Sequence, residues 1–217
     1  YMDMLDENGE VFAGMSDMRI LESLPVTYLE ENARYLRAAA AIVTDGCLQL
    51  PFLERLLSVA EGHAPVFVDP VSTAYARKIA PIVGGFYAVK PNRLELAVLS
   101  GTPVETDAQI ELAAEHVLSR GTRRVVVSLG ARGCYYADDA GRRVFRSLRP
   151  VDDMENATGA GDAFMAGFLH GHLLGLSVEE QLDYALASGI VAVRSPDTIH
   201  PGMSDSLVRE TLERSRI

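Results

Sequence analysis

The stretch PVFVDPVSTAYARKIAPIVGGFYAVKPNRLELAVLSG, Pro65 to Gly101, changes its periodicity three times. PVFVDP is a short apolar run closed by Asp69-Pro70, which reads as a strand. STAYARKIAPIVGG reads as a helix, with Pro81 marking a late break. FYAVKPN is extended again, and RLELAVLSG returns to helical spacing before stopping at Gly101. Strand, helix, strand, helix is the order of a parallel sheet covered by helices.

The alternation continues outward. Upstream, TYLEENARYLRAA sets Leu29, Ala33, Leu36 and Ala40 at helical spacing and predicts one helix from Thr27. AAIVTDG is a short buried strand, and LPFLERLLSVAEG is an amphipathic helix ending at Gly62. Downstream, QIELAAEHVLSRG is helical, and RRVVVSLG is a strand ending in a glycine turn. CYYADD and RRVFRSL form a hairpin closed at Ala140-Gly141. Helices from Ala160 to Leu174, from Val178 to Arg194 and from Ser204 complete the chain. At the start, YMDML and EVFAGMS pair around Asn8-Gly9. The expected fold is α/β: a mainly parallel sheet with helices on both faces, plus a small N-terminal β hairpin. No internal repeat or linker interrupts it.

Composition narrows the function classes. The chain has 217 residues, 48% hydrophobic and 23% charged, as in an ordinary globular domain. A net charge of −10, with no Lys/Arg-dense stripe, argues against a nucleic-acid polymer as partner. No apolar run approaches a bilayer span, which argues against a membrane protein. The N-terminus is acidic and unlike a signal peptide. Cys47 and Cys134 stand in unrelated contexts, which fits a reducing cytoplasm better than a disulfide scaffold.

In such sheets ligands bind beyond the carboxyl ends of the strands, and three motifs fall at such ends or at helix starts. The first is NATGAGDAF, Asn156 to Phe164. Gly159, Ala160 and Gly161 open a helix whose unpaired N–H groups and partial positive charge suit an anion. Asp162 in the first turn would compete for those donors if anion binding were the only task. It makes sense as a base on a hydroxyl while the amides hold the group under attack. A plain helix cap is the competing reading. The second motif is KPNRLE, where Asn92 and Glu95 share a helix face. They suit either a hydrated Mg²⁺ or a capping box, and the cap is the commoner use of that spacing. The third is SLGARG, in which Ser128, Gly130 and Gly133 would let a nucleotide lie against the backbone; such glycine turns are common.

Together and in this order, the three motifs resemble the signatures of the ribokinase-like (PfkB) family of sugar and nucleoside kinases. The resemblance covers nearly the whole chain. It implies a ribokinase-like fold, with residues 1–16 forming part of a β lid and residues 17–217 an α/β kinase domain. It implies ATP and Mg²⁺ as cofactors, Asp162 as catalytic base, and Gly159, Ala160 and Gly161 as the anion hole. It further implies Asn92 and Glu95 at Mg²⁺ through water, and Ser128, Gly130 and Gly133 at the nucleotide. Many relatives carry an aspartate six residues before the base as a monovalent-cation ligand; here that position is Asn156, which still offers an oxygen to K⁺ but no charge. VFVDPVS, KPNRLE and NATGAGDA are also similar to the pseudouridine kinases of that family, which implies the 5′-hydroxyl of a C-nucleoside as acceptor. A homodimer through the lid is a further family expectation. The family's first strand and glycine-rich sugar motif have no counterpart, so we expect an N-terminal portion to be absent and this piece to be nearly inactive.

Two other readings stand beside this one: a kinase of ribose, fructose or another small sugar, and a catalytically silent binding protein on the same scaffold. Retention of Asp162, Asn92 and Glu95 argues against silence. A nicotinamide-binding fold would place its glycine fingerprint after the first strand, which is not the case. His170 and His172 are two apart on a helix and face different ways, so they make a poor metal pair. Asp69-Pro70 suits a turn as well as a phosphate site, and Lys90 suits a strand-end cover as well as a phosphate contact.

Overall fold

The computed structural model describes residues 2–5, 11–149 and 154–215. Its first element is an antiparallel ribbon of β1 (Met2–Leu5) and β2 (Val11–Met15), with Met2 opposite Met15. The Asn8-Gly9 turn expected between them lies outside the described residues. Two short helices follow, α1 (Thr27–Glu31) and α2 (Ala33–Ala38), where the spacing predicts one. The break is at Asn32, whose backbone leaves helical geometry at φ −103° and ψ 6°. Its side-chain amide donates to the Tyr28 carbonyl at 2.8 Å, the local competition that makes asparagine a poor interior helix residue.

A six-stranded sheet follows, flanked by helices. Its strands are β3 (Ile42–Asp45), β4 (Val66–Asp69), β5 (Ala88–Val89), β6 (Arg124–Ser128), β7 (Cys134–Asp138) and β8 (Arg143–Arg146), in that spatial order. The first four are mutually parallel, with Asp45 opposite Asp69, Val68 opposite Val89, and Val89 opposite Val125. Parallel neighbours need crossover connections, and helices supply them. These are α3 (Leu50–Ala60), α4 (Thr73–Ile79), and the pair α5 (Arg93–Ser100) and α6 (Asp107–Leu118). All four residues of β4 are buried, as expected of a strand covered on both faces. β5 is shorter than FYAVKPN suggests, because Pro91 has no N–H to extend the ladder. β7 and β8 meet in the expected hairpin, with Gly141 in the left-handed region at φ 90°.

The chain divides into two compact units: Met18–Leu129 with Tyr135–Val144, and Tyr1–Asp17 with Gly130–Cys134 and Phe145–Ile217. In the first, Leu53, Val68, Val89, Leu96, Ile110 and Val127 belong to one buried core. Its helix starts are written in the sequence: Asn92 with Glu95, and Thr106 with Gln109, form reciprocal capping boxes.

The second unit is built on α7 (Ala160–Leu173), α8 (Val178–Val193) and α9 (Asp205–Ser215). Gly167 and Gly171 bring α7 close to α8. A methyl on Gly167 would lie 2.4 Å from Ser188 Oγ, and one on Gly171 would lie 3.0 Å from Gln181 Cα. Asp183, buried on α8, is held by Arg146 through two hydrogen bonds of 2.5 and 2.7 Å. Cys47 and Cys134 are buried thiols, and burial pushes their pKa values up to about 11 and about 12. Among the described residues, no helix is long and apolar enough to cross a membrane.

Candidate active site

In the first unit, chemistry gathers where β4 and β5 end. Asp69 is the last residue of β4 and Lys90 follows β5, so the parallel register brings the two side by side. Lys90 Nζ lies 2.8 Å from Asp69 Oδ2, with the side chains 6% and 12% exposed. The other carboxylate oxygen of Asp69 accepts from Val71 N at 2.9 Å. That contact braces Val71, a non-glycine residue with a left-handed backbone at φ 67°. Asp69 therefore serves the turn, and Lys90 covers the strand end by pairing with it.

Asn92 and Glu95 are bound to each other. Asn92 Oδ1 accepts from Glu95 N, while the Glu95 carboxylate accepts from Asn92 N and Asn92 Nδ2, each at 2.9 Å. The capping-box reading of this motif is thus realised. Each carboxylate oxygen still has a second lone pair. Glu95 is 3% exposed. Burial raises its pKa above the ordinary value, and the nearby Asp69 adds to the rise against the Asn92 amide and Lys90. With Lys90 paired to Asp69, the Glu95 carboxylate offers oxygens of the kind that the waters of a hydrated Mg²⁺ could meet, while among the described residues no group of three or more His, Cys, Asp or Glu gathers to hold a metal. Ser128, half-buried at the end of β6, bridges to Asn92 in parallel register and donates its N–H to Pro91 O at 3.0 Å.

In the second unit, the start of α7 carries the glycine motif. Gly159 is the N-cap residue, at φ 85° and ψ −9°. Any side chain here would be strained, and it would also collide: a methyl would lie 2.1 Å from Thr198 O. Ala160, Gly161 and Asp162 form the first turn, where the helix itself supplies no acceptor; Ala160 N, expected in the anion hole, donates instead to Ala157 O at 3.3 Å. Asp162 is exposed, with its carboxylate at the positive end of the helix. The preceding loop is tied to the segment after α8. Glu155 N and Asn156 N donate to Val193 O at 2.8 and 3.3 Å, and Asn156 Nδ2 donates to Pro196 O at 3.1 Å. Asn156 Oδ1 accepts from Thr158 N at 2.8 Å.

The remaining glycine turn has a similar build. Gly130 and Gly133 both have left-handed backbones, at φ 60° and 90°, around a short 3₁₀ turn at Gly130–Arg132. At Gly133 a methyl would fall 2.1 Å from Arg146 O, so a bare backbone is required there.

Against known proteins, the model of the pfkB family carbohydrate kinases matches residues 1–205. The chain belongs to that family. Pseudouridine kinase from Escherichia coli is 31% identical over 216 residues, covering 99% of this chain and 68% of its own. A crystal structure from Clostridium perfringens superposes with a TM-score of 0.86 at 28% identity, covering 98% of this chain and 66% of that one. Phosphofructokinase-2 from Escherichia coli in complex with potassium gives a TM-score of 0.72 at 25% identity, covering 87% and 61%. The chain thus spans about two thirds or less of these relatives. The family is one of carbohydrate kinases, and the chain has the ribokinase-like α/β fold.

The structure brings Asn92, Glu95 and Ser128 together in one cluster, and Asn156, Gly159, Ala160, Gly161 and Asp162 in another. Gly130 and Gly133 share a turn of their own. Two features escape a reading of the sequence: the Asp69–Lys90 ion pair, and the Pro196–Thr198 segment against which the glycine loop is held. Strand adjacency sets the first, and α8 returning toward the α7 start sets the second; neither leaves a local motif. For Gly159→Ala in the complete protein we expect a loss of about 1–2 kcal/mol from the left-handed backbone alone, before the clash with Thr198. Thermal unfolding checks this, and an unchanged midpoint would show that the loop is not held as described.

Proposed function

We propose that the complete protein transfers the γ-phosphoryl group of ATP to a hydroxyl of a nucleoside, with the 5′-hydroxyl of pseudouridine as acceptor. The observation that carries this reading is an exposed carboxylate, Asp162, in the first turn of a helix that opens on bare glycine backbone. Amides there suit a phosphoryl group as negative charge develops on it, and Asp162 suits the acceptor hydroxyl. Proton transfer to Asp162 makes the hydroxyl oxygen nucleophilic as it meets phosphorus.

Mg²⁺, when bound, neutralises phosphate charge; Asn92 and Glu95 are the residues that would hold it through its waters. Ser128, Gly130 and Gly133 are assigned to the nucleotide, whose approach bare backbone permits. The sequence relation to pseudouridine kinase supports the acceptor. The ribbon of β1 and β2 is assigned as a lid and a surface for a second copy; its exposed Met2, Met4 and Met15 support this. The cytoplasm, where ATP and nucleosides are found together, is the proposed setting.

A phosphorylation panel on the complete protein tests the acceptor: pseudouridine, uridine, other nucleosides, ribose and fructose, each with MgATP. Turnover of pseudouridine above the rest is expected, and exclusive use of free sugars would replace the nucleoside with a sugar substrate. Glu95→Gln is expected to raise the Mg²⁺ concentration needed for half-maximal velocity, since it removes a charge facing the cation. An unchanged requirement would take Glu95 out of that role.

A further inference from the structure

We propose that Asp183 is a positioning residue for nucleotide binding: through Arg146 it fixes the glycine turn of Gly130 and Gly133 to the helix pair that carries Asp162. The inference rests on the phosphotransfer reading above, which assigns that turn to the nucleotide. It adds a residue of α8 that stands in none of the three motifs and acts through another side chain.

The turn closes on itself, with Gly133 N donating to Gly130 O at 3.0 Å, and it rests on the end of β8. A methyl on Gly133 would lie 2.1 Å from Arg146 O and 2.8 Å from Ser147 Cα, so the two backbones are in direct contact. β8 ends the six-strand order, and among the described residues no strand of that sheet lies on its outer side. The Arg146 side chain supplies the missing hold. Its Nε and Nη2 donate to the two carboxylate oxygens of Asp183 at 2.5 and 2.7 Å. A two-point fork sets orientation as well as distance, which a lysine in the same place would not do. Cys134, the buried residue after Gly133, lies within electrostatic reach of both partners, so the fork sits beside the turn.

The helix that bears Asp183 gives the fork its catalytic meaning. Ser188 Oγ and Tyr184 O of α8 meet Gly167 of α7 so closely that a methyl there would lie 2.4 and 2.6 Å from them. Asp162 stands in the first turn of that same α7. One packed helix pair thus carries the base directly and, through the fork, the nucleotide turn. A buried ion pair adds little net stability over apolar side chains of similar size. What apolar side chains do not supply is a fixed orientation of the strand end. The segment stays attached without the fork, because Leu148 packs in one buried cluster with Tyr184, Ala187 and Val191. Loss of the fork therefore loosens the turn and leaves the fold in place.

The test compares the complete wild-type protein with Asp183→Asn and with the double variant Asp183→Leu, Arg146→Met. The unfolding midpoint, amide hydrogen exchange at residues 130–134, and KM for MgATP and for the acceptor are read in each. The double variant is expected to regain a midpoint near that of wild type, since neither charge is left behind without its partner. Its turn amides are nonetheless expected to exchange about tenfold faster, with KM for MgATP up about tenfold and KM for the acceptor within about twofold. Asp183→Asn is expected to shift exchange and the KM for MgATP in the same direction. A fork that serves stability alone predicts otherwise: once the midpoint is restored, exchange and KM for MgATP return to wild-type values. That result overturns the proposal, and so does an equal rise in both KM values. Where the double variant does not fold, Arg146→Lys, which keeps the charge without the two-point geometry, is judged by the same readouts. If the wild type binds no MgATP by calorimetry, the phosphotransfer reading fails, while exchange at residues 130–134 still decides whether Asp183 holds the turn.

Discussion

Replacing Asp162 with alanine in the complete protein is expected to lower kcat by roughly 10²–10⁴-fold, the usual share of a positioned general base. Affinity for MgATP should hold or tighten, because the change removes a negative charge beside an anion-binding helix start. The structure makes this a clean experiment. Asp162 is exposed at the third helical position of α7, where an acid near a helix N-terminus contributes about 0.3–1 kcal/mol to folding. The protein should therefore stay folded, and the loss should appear in turnover. Asp162→Asn keeps the shape and a hydrogen-bond acceptor but cannot take the proton, so it should lose nearly as much. Turnover within about threefold of wild type in either variant would remove Asp162 as the base and leave it a helix cap.

The largest expected effect on stability is at Asp69, for a different physical reason. Asp69→Ala leaves the Lys90 ammonium in a site where its side chain is 6% exposed, without its ion-pair partner and with only the nearby Glu95 as counter-charge. Breaking one partner out of a buried ion pair costs about 3–5 kcal/mol, much of it the desolvation of the charge left behind. The same change removes the acceptor for Val71 N and releases the brace on a left-handed valine. Two further variants separate these contributions. Asp69→Asn keeps an oxygen for Val71 N but loses the charge, so it should fall between wild type and Asp69→Ala. The double variant Asp69→Ala with Lys90→Met should recover a large part of the loss, since the buried ammonium is removed together with its partner. Denaturant unfolding of the complete protein measures all three. A loss below about 1 kcal/mol for Asp69→Ala, or a double variant no better than the single one, would show that water reaches the pair freely.

How much of this was legible in the sequence differs from feature to feature. The helix start at Asn92 is readable directly, because a capping box joins residues three apart and needs no tertiary partner; the box at Thr106 starts its helix at Asp107, ahead of the stretch from Gln109 that helical spacing marks. The glycine opening of α7 was legible for the same reason. KPNRLE was legible only as an alternative, cap or cation site. The structure realises the cap, and the second lone pairs of the Glu95 carboxylate leave the cation reading standing beside it. The division of the Thr27 helix at Asn32 was missed, since spacing of apolar residues reports a face and not the continuity of the backbone along it.

The alternation of strands and helices, the family, and the acid and glycines at the head of α7 are all readable from the order of amino acids. Those features are local: periodicity, turn chemistry and caps act over three to four residues, so the chain displays them without folding. Folding is what sets Lys90 against Asp69 and brings Asn156 to the carbonyl of Pro196. In each case the partners lie far apart along the chain and meet because β5 lies beside β4, or because α8 returns the chain to the start of α7. Burial then gives such meetings their energetic weight, and burial is a property that residues acquire only together.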